Sequence, residues 1–147
     1  MNQQAMLKKI KKMQDEMVAT QQEIAQVTKP AHVASMMGHL AKYAQEHVVC
    51  LYLNARQQLI SQTTISIGTV SSALIHPREV FAPALQARAS SLILVHNHPS
   101  QDPQPSEEDI LITQKLVEVG EVIDIPLIDH VIVTSQGWSS LRQLNLL

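Results

Sequence analysis

Two short runs made almost wholly of apolar residues set the frame for this chain: Val48-Val49-Cys50-Leu51-Tyr52-Leu53 and Ser91-Leu92-Ile93-Leu94-Val95. A strand with one wet face alternates apolar and polar side chains, so a run without alternation belongs to a strand covered on both sides. Such strands need helices on both faces of their sheet. The intervening segments supply them. His32 to Glu46 reads as a helix by its spaced Val33, Met36, Met37, Leu40 and Tyr43. Pro77 fits the first turn of a helix through Val80, Phe81, Leu85 and Ala89, with Pro83 inside it. Ile110 to Val119 reads as another helix, with Gly120 placed to stop it. Leu59 to Ile67 alternates more and is rich in Thr and Ile, which predicts a hairpin partner ended by Gly68. Leu127 to Thr134 is a further strand, and a Gln136-Gly137 turn leads into a short tail. The alternation of strands and helices predicts an α/β sheet with helices on its faces. At 147 residues and 45% hydrophobic, the chain has material for one such core.

Residues 1–28 differ. They contain no Gly or Pro, and Met6, Ile10, Met13, Met17, Thr20, Ile24 and Val27 fall at spacings of four and three, a heptad seam. A lone helix of this kind is marginal in water, so it needs a second copy or the body of the protein as partner. The predicted organisation is an amphipathic helix at 1–28, a candidate homodimer segment, and a globular domain at 30–147 beginning at Pro30. Eleven Lys+Arg against thirteen Asp+Glu give a net charge of −2. That argues against a main task of gripping nucleic acid, which calls for a basic surface. The single cysteine, Cys50, excludes an internal disulfide and a multi-cysteine zinc framework. No apolar stretch approaches the roughly 18 residues of a membrane span, and the N-terminus lacks a signal peptide's apolar region. A cytoplasmic protein is expected.

The chemistry-bearing stretch runs from Val95-His96-Asn97-His98-Pro99-Ser100 to Pro105-Ser106-Glu107-Glu108-Asp109. Residues two apart on a strand point to one side, so His96 and His98 can present both imidazoles to one point. Pro99, Pro103 and Pro105 stiffen the loop, and a helix opening at Ser106 can return Asp109 to the histidine pair. Two neutral imidazoles and a carboxylate suit a Zn²⁺ ion that keeps a fourth position open for water, lowering that water's pKa to about 7. Hydrolysis further needs a carboxylate to move protons and a donor facing the developing oxyanion. Glu46, just before a buried strand, and Ser106 are the candidates. Each has a plainer alternative. Ser106-x-x-Asp109 is also a capping box, Glu46 could be a solvated helix end, and Glu79 is a competing base. Asp129-His130 reads equally as a ligand pair or as a histidine held by a nearby polar group. A zinc deaminase is excluded, because that chemistry needs His-x-Glu and Cys-x-x-Cys.

Taken whole, His96-x-His98-Pro99-Ser100 with Pro105-Ser106-x-x-Asp109 resembles the JAB/MPN metalloprotease signature (the JAMM motif), and more narrowly its RadC-like branch. Gly68-Thr69-Val70, His76-Pro77-Arg78-Glu79-Val80-Phe81, Leu92-Ile93-Leu94-Val95 and Asp129-His130 add to the likeness, which covers roughly residues 30–147. The resemblance implies a three-layer α-β-α sandwich around a mixed sheet, with zinc held by His96, His98 and Asp109. It further implies Glu46 as the residue activating water and Ser106 as the residue steadying the tetrahedral intermediate. The implied activity is zinc-dependent hydrolysis of peptide or isopeptide bonds, with a peptide or protein tail as substrate. The rivals are a metal-binding scaffold of the same fold and a DNA-repair accessory protein. Longer RadC-like proteins carry a helical domain before this one; only residues 1–28 precede it here, so a function residing there is expected to be absent. The family pattern also has Gly after His-Pro-Ser, where this chain has Gln101. If that backbone needs positive φ, the side chain costs about 1 kcal/mol.

Overall fold

A computed structural model describes residues 2–25, 27, 29–68 and 75–147, with the side chains of 16–25 excepted. Helix α1 (Gln3–Ala25) is followed by α2 (Pro30–Met36), a 3-10 turn (Gly38–Lys42), β1 (Glu46–Leu53) and β2 (Leu59–Gly68). Then come α3 (Pro77–Gln86), β3 (Ser91–Asn97), α4 (Glu107–Ile123), β4 (Leu127–Thr134) and β5 (Gly137–Ser140). The five strands form one sheet in the order β2-β1-β3-β4-β5. All neighbours are antiparallel except β3 and β4, whose parallel pairing requires a crossover, supplied by α4. The sheet is therefore mixed.

The two non-alternating runs occupy the middle of the sheet, β1 and β3, and split by parity into two cores. Val48, Cys50, Tyr52, Leu92 and Leu94 face α3 and α4, packing with Val80, Phe81, Ile112 and Leu116. Val49, Leu51, Leu53, Ile93 and Val95 face the other way, against Val33 of α2 and Leu40 of the 3-10 turn. This is the three-layer arrangement expected. The Cys50 thiol lies in the first of these cores, where burial pushes its pKa up to about 12, so it is packing material and no nucleophile.

Three boundaries differ from the sequence reading. The helix expected over 32–46 ends at Met36 and tightens into the 3-10 turn, and Glu46 is already the first strand residue. Met37 and Leu40 are buried all the same. Their spacing of three serves either helix type, so periodicity could not separate them. Helix α3 stops at Gln86, where the chain turns through Arg88 at φ 53° before Ala89. Gly120 does not stop α4, which runs on to Ile123 and ends at Asp124 in the left-handed conformation. The glycine is needed for another reason. A Cβ at residue 120 would stand 2.6 Å from the Ile125 carbonyl oxygen, where the chain folds back toward β4.

Helix α1 exists where the seam predicts, and Met6, Ile10 and Met13 are exposed. Val27 is buried in the core on the α2 face. The seam side chains Met17, Thr20 and Ile24, and the motif residues Thr69 and Val70, lie outside what is described. Among the described residues no helix is long and apolar enough to cross a membrane.

Candidate metal centre

Parity carries over from the core into the site. Beyond Leu92 and Leu94, the next residue on the α4 side of β3 is His96, fully buried. On the opposite side the series Ile93, Val95 continues to Asn97. His98 follows directly after the strand, and its Nδ1 lies 2.8 Å from the Asp102 carbonyl oxygen. A carbonyl only accepts, so Nδ1 carries the proton and Nε2 is aimed inward. Asp109 arrives from α4 through a capping box: Ser106 Oγ accepts from the Asp109 amide at 3.1 Å, and the Ser106 amide donates to Asp109 Oδ2 at 2.8 Å. The capping-box and ligand readings of Ser106-x-x-Asp109 are thus compatible, because the cap is what turns the carboxylate toward the histidines.

Asp109 Oδ2 lies 3.0 Å from His98 Nε2, and Asp109 Oδ1 lies 3.1 Å from His96 Nε2. The three atoms that could ligate an ion lie within 4.8 Å of one another. Donors about 2.0–2.2 Å from a tetrahedral ion stand roughly 3.3 Å apart, so the spacing suits a small divalent cation. His96 Nε2 makes no hydrogen bond; among the described residues it is the buried side-chain nitrogen or oxygen left without one. Burial works against the Asp109 carboxylate, but His96 and His98 outweigh it and hold its pKa far below the usual carboxylate range. Burial also opposes charge on His98; Asp109, the Asp102 carbonyl and Glu46 overcome it and raise its pKa.

Glu46, at the start of β1, shares a cleft of about 230 Å³ with His98, Ser100, Asp102, Gln104 and Ser106. A neighbouring recess of about 380 Å³ continues past Glu46 and Ser100 to Gly68 and Pro99. Both Glu46 and Ser106 therefore border the same opening as the candidate ligand His98. Glu79 does not line it; exposed at the start of α3, it pairs with Arg78 at 3.4 Å.

Gln101 has φ 66°, the backbone conformation that favours glycine. Its side chain compensates. The amide oxygen accepts from Ser135 N at 2.7 Å and from Ser135 Oγ at 2.6 Å, tying the ligand loop to the β4–β5 turn.

Asn97 and Thr113 escaped the sequence reading, and His130 takes the second of its two readings, a histidine held by polar neighbours. Asn97 Oδ1 accepts from His47 N at 2.6 Å, and its Nδ2 donates to Gln45 O at 3.0 Å, so it clasps the backbone on either side of Glu46. Strand parity was the available signal: Asn97 faces away from the histidines, toward β1's approach. His130 is no ligand, but its Nε2 lies 2.7 Å from His96 Nδ1. Burial drives its pKa well below the ordinary histidine value. Thr113 Oγ1 lies 2.7 Å from His130 Nδ1 and 2.7 Å from Asp109 O. Asp129 stays outside the cluster, held by Ser140 Oγ and by the His130 and Arg142 amides.

Comparison with known proteins agrees with this geometry. Residues 27–146 match the family model described as RadC-like JAB domain. A UPF0758 protein of Bacillus licheniformis is 49% identical over 108 residues, 74% of this chain and 48% of that protein. One from Bacillus cereus is 47% identical over 108 residues, with the same coverage of each. One from Desulforamulus reducens is 46% identical over 112 residues, 76% of this chain and 49% of that protein. The chain thus spans about half the length of the curated relatives it matches.

Proposed function

The chain belongs to the RadC-like JAB domain family, and from that footing we propose that it is a zinc-dependent hydrolase of peptide or isopeptide bonds. One observation carries the reading: a fully buried imidazole nitrogen without a hydrogen bond, 3.1 Å from a buried carboxylate and beside a second imidazole. An orphaned buried nitrogen costs roughly 1–3 kcal/mol, a cost that a shared cation removes. His96, His98 and Asp109 would hold the ion. When bound, zinc supplies a Lewis acid and brings the pKa of a coordinated water to about 7.

The chain's own groups would do the rest. Glu46 borders the cleft beside His98, is positioned by the Asn97 clasp, and takes a proton from water and returns it to the leaving amine. Ser106 Oγ accepts from the Asp109 amide, so its hydroxyl proton is free to be offered to the carbonyl oxygen as charge develops there. The substrate class proposed is an extended peptide or a protein tail, supported by the cleft of about 230 Å³ and the adjoining recess of about 380 Å³ that share Glu46 and Ser100. Cytoplasmic location and a homodimer joined through the heptad seam of α1 belong to the same proposal; deleting residues 1–28 is expected to convert a dimer to a monomer in sedimentation.

The test is metal analysis joined to a peptide and isopeptide library, with Glu46→Gln beside the parent. About one zinc per chain is expected in both, with cleavage only in the parent. Cleavage that survives Glu46→Gln but is lost in Glu79→Gln would transfer the base to α3. A folded parent that takes up no zinc would end the proposal.

A further inference from the structure

Two buried groups that the proposed chemistry does not use form a continuous line behind one ligand: His130 and Thr113 connect His96 Nδ1 to the backbone of Asp109. From the geometry we infer that His130 and Thr113 are positioning residues that fix His96 in the tautomer with its proton on Nδ1, leaving Nε2 bare for the metal. The inference rests on the metal-site reading above.

The proton assignment follows from the far end of the line. The Asp109 carbonyl can only accept, so at 2.7 Å the Thr113 hydroxyl must donate to it. That hydroxyl has one hydrogen. Toward His130 Nδ1, also at 2.7 Å, Thr113 Oγ1 can then only accept, so His130 Nδ1 carries a proton. His130 has no carboxylate on either nitrogen and is almost wholly buried, so it is neutral and its Nε2 has a lone pair. Across the 2.7 Å contact to His96 Nδ1, the proton therefore belongs to His96. Every hydrogen along the line is then assigned, and the nitrogen left over is His96 Nε2, which makes no hydrogen bond and faces Asp109 Oδ1 at 3.1 Å. Three elements, β3, β4 and α4, are pinned in the same stroke. The line also closes on Asp109 itself, so one ligand's tautomer is set from the backbone of another.

His98 has its Nδ1 proton fixed by a simpler route, a single bond from Nδ1 to the Asp102 carbonyl on a partly exposed loop. The two ligands are therefore separable by experiment. Thr113→Val keeps the side chain's shape and removes its hydroxyl. His130 then has no acceptor on Nδ1, and the proton is expected to move to Nε2, facing His96, which must now carry its own proton on Nε2.

The experiment reads imidazole nitrogens by ¹⁵N NMR on the metal-free full chain, together with zinc affinity by competition. Expected are His96 as the Nδ1–H tautomer in the parent, a switch to Nε2–H in Thr113→Val, and zinc binding weakened about 10–100-fold, the usual effect of losing an outer partner. Thr113→Ser should restore both. A merely structural threonine would change the melting temperature and leave the tautomer alone. Should Thr113→Val not fold, His130→Gln, whose amide oxygen can still accept from His96, should retain zinc while His130→Leu loses it. An unswitched tautomer with parental zinc affinity in Thr113→Val, or equal affinity in His130→Gln and His130→Leu, would overturn the inference. Failure of the hydrolase reading would not, because the tautomer is read without metal or substrate.

Discussion

Asp109 and Asp129 are both buried aspartates, 2% and 0% exposed, yet their carboxylates meet opposite surroundings. Asp129 is held by hydroxyl and backbone donors, Ser140 Oγ at 2.7 and 2.9 Å, the His130 amide at 2.7 Å and the Arg142 amide at 3.1 Å, with the charge of Arg142 also acting on it. Burial pushes its pKa up in spite of those bonds. Asp109 faces two imidazoles, and its pKa is driven down. One carboxylate is satisfied by the fold and anchors β4 to β5 and the tail. The other is satisfied only in part, with an orphaned nitrogen 3.1 Å away. The lesson is that burial of an acid says little about function until the chemistry of its partners is read. A complete shell of hydrogen-bond donors marks an anchor, and a cluster with an unbonded buried nitrogen marks a site.

The largest expected effect separates the two directly. Zinc sites with four ligands bind with about 10–16 kcal/mol, so losing one protein ligand costs roughly 3–4 kcal/mol, on the order of several hundredfold in affinity. Asp109→Asn retains the oxygen that caps α4 and should show that loss in a zinc competition assay, with the metal-free protein still folded but without the stability His98 draws from the Asp109 charge at low pH. Asp129→Ala should do the reverse. It leaves buried donors on Ser140, His130 and Arg142 without an acceptor, which costs about 2–3 kcal/mol and should lower the melting temperature by roughly 5–10 °C. Its zinc affinity when folded should stay within about tenfold of the parent, less than an outer partner's usual upper limit. Equal zinc loss in the two variants would break the distinction between anchor and site.

The pH response sharpens it. His98 has a raised pKa in the fold, so the stability it contributes in the metal-free protein is full below its ordinary value of 6.5 and is lost as pH rises through the raised value. Zinc must displace that same proton. The stabilisation conferred by zinc in a thermal shift assay should therefore grow as pH rises past 6.5, while the metal-free protein weakens. Asp129 runs on a lower window: its raised pKa means stability falls as pH climbs from its ordinary 3.8 through the raised value, and Asp129→Asn should flatten that limb alone. A zinc effect indifferent to pH between 6 and 8 would remove His98 from the ligand set.

Much of this was readable in the sequence, and what was not has a physical reason. Val48–Leu53 and Ser91–Val95 foretold the two central strands because lack of alternation has one structural meaning. His96, His98, Ser106 and Asp109 were readable because their meeting depends on local rules, strand parity and helix capping. Thr113 was not, and His130 was readable only as a histidine held by some polar neighbour. Their roles depend on the parallel register that sets His130 opposite Leu94 and on where α4 crosses β4, which no local pattern encodes. Asp129-His130 looked like a ligand pair because neighbours in sequence share a motif. On a strand they face opposite ways, one to Ser140 and one to His96. Gly120 was read by the commonest use of glycine at a helix end, whereas here close approach to Ile125 O decides it.

The smallest expected effect concerns the residue that links the anchor's side of the molecule to the site's. Gln101 stands in the ligand loop at φ 66° and grips Ser135 in the turn after β4. Two opposing quantities meet there. The left-handed backbone costs a non-glycine residue about 1 kcal/mol, and the bonds to Ser135 return about as much. Gln101→Ala keeps the cost and loses the bonds, so about 1 kcal/mol of stability should go. Gln101→Gly removes both and should be near neutral in a denaturant titration. Because neither change touches His98 Nδ1 or its bond to Asp102, zinc affinity should hold in both. If Gln101→Gly instead weakened zinc binding as Thr113→Val is expected to, the grip on Ser135 would belong to the site rather than to the scaffold that carries it.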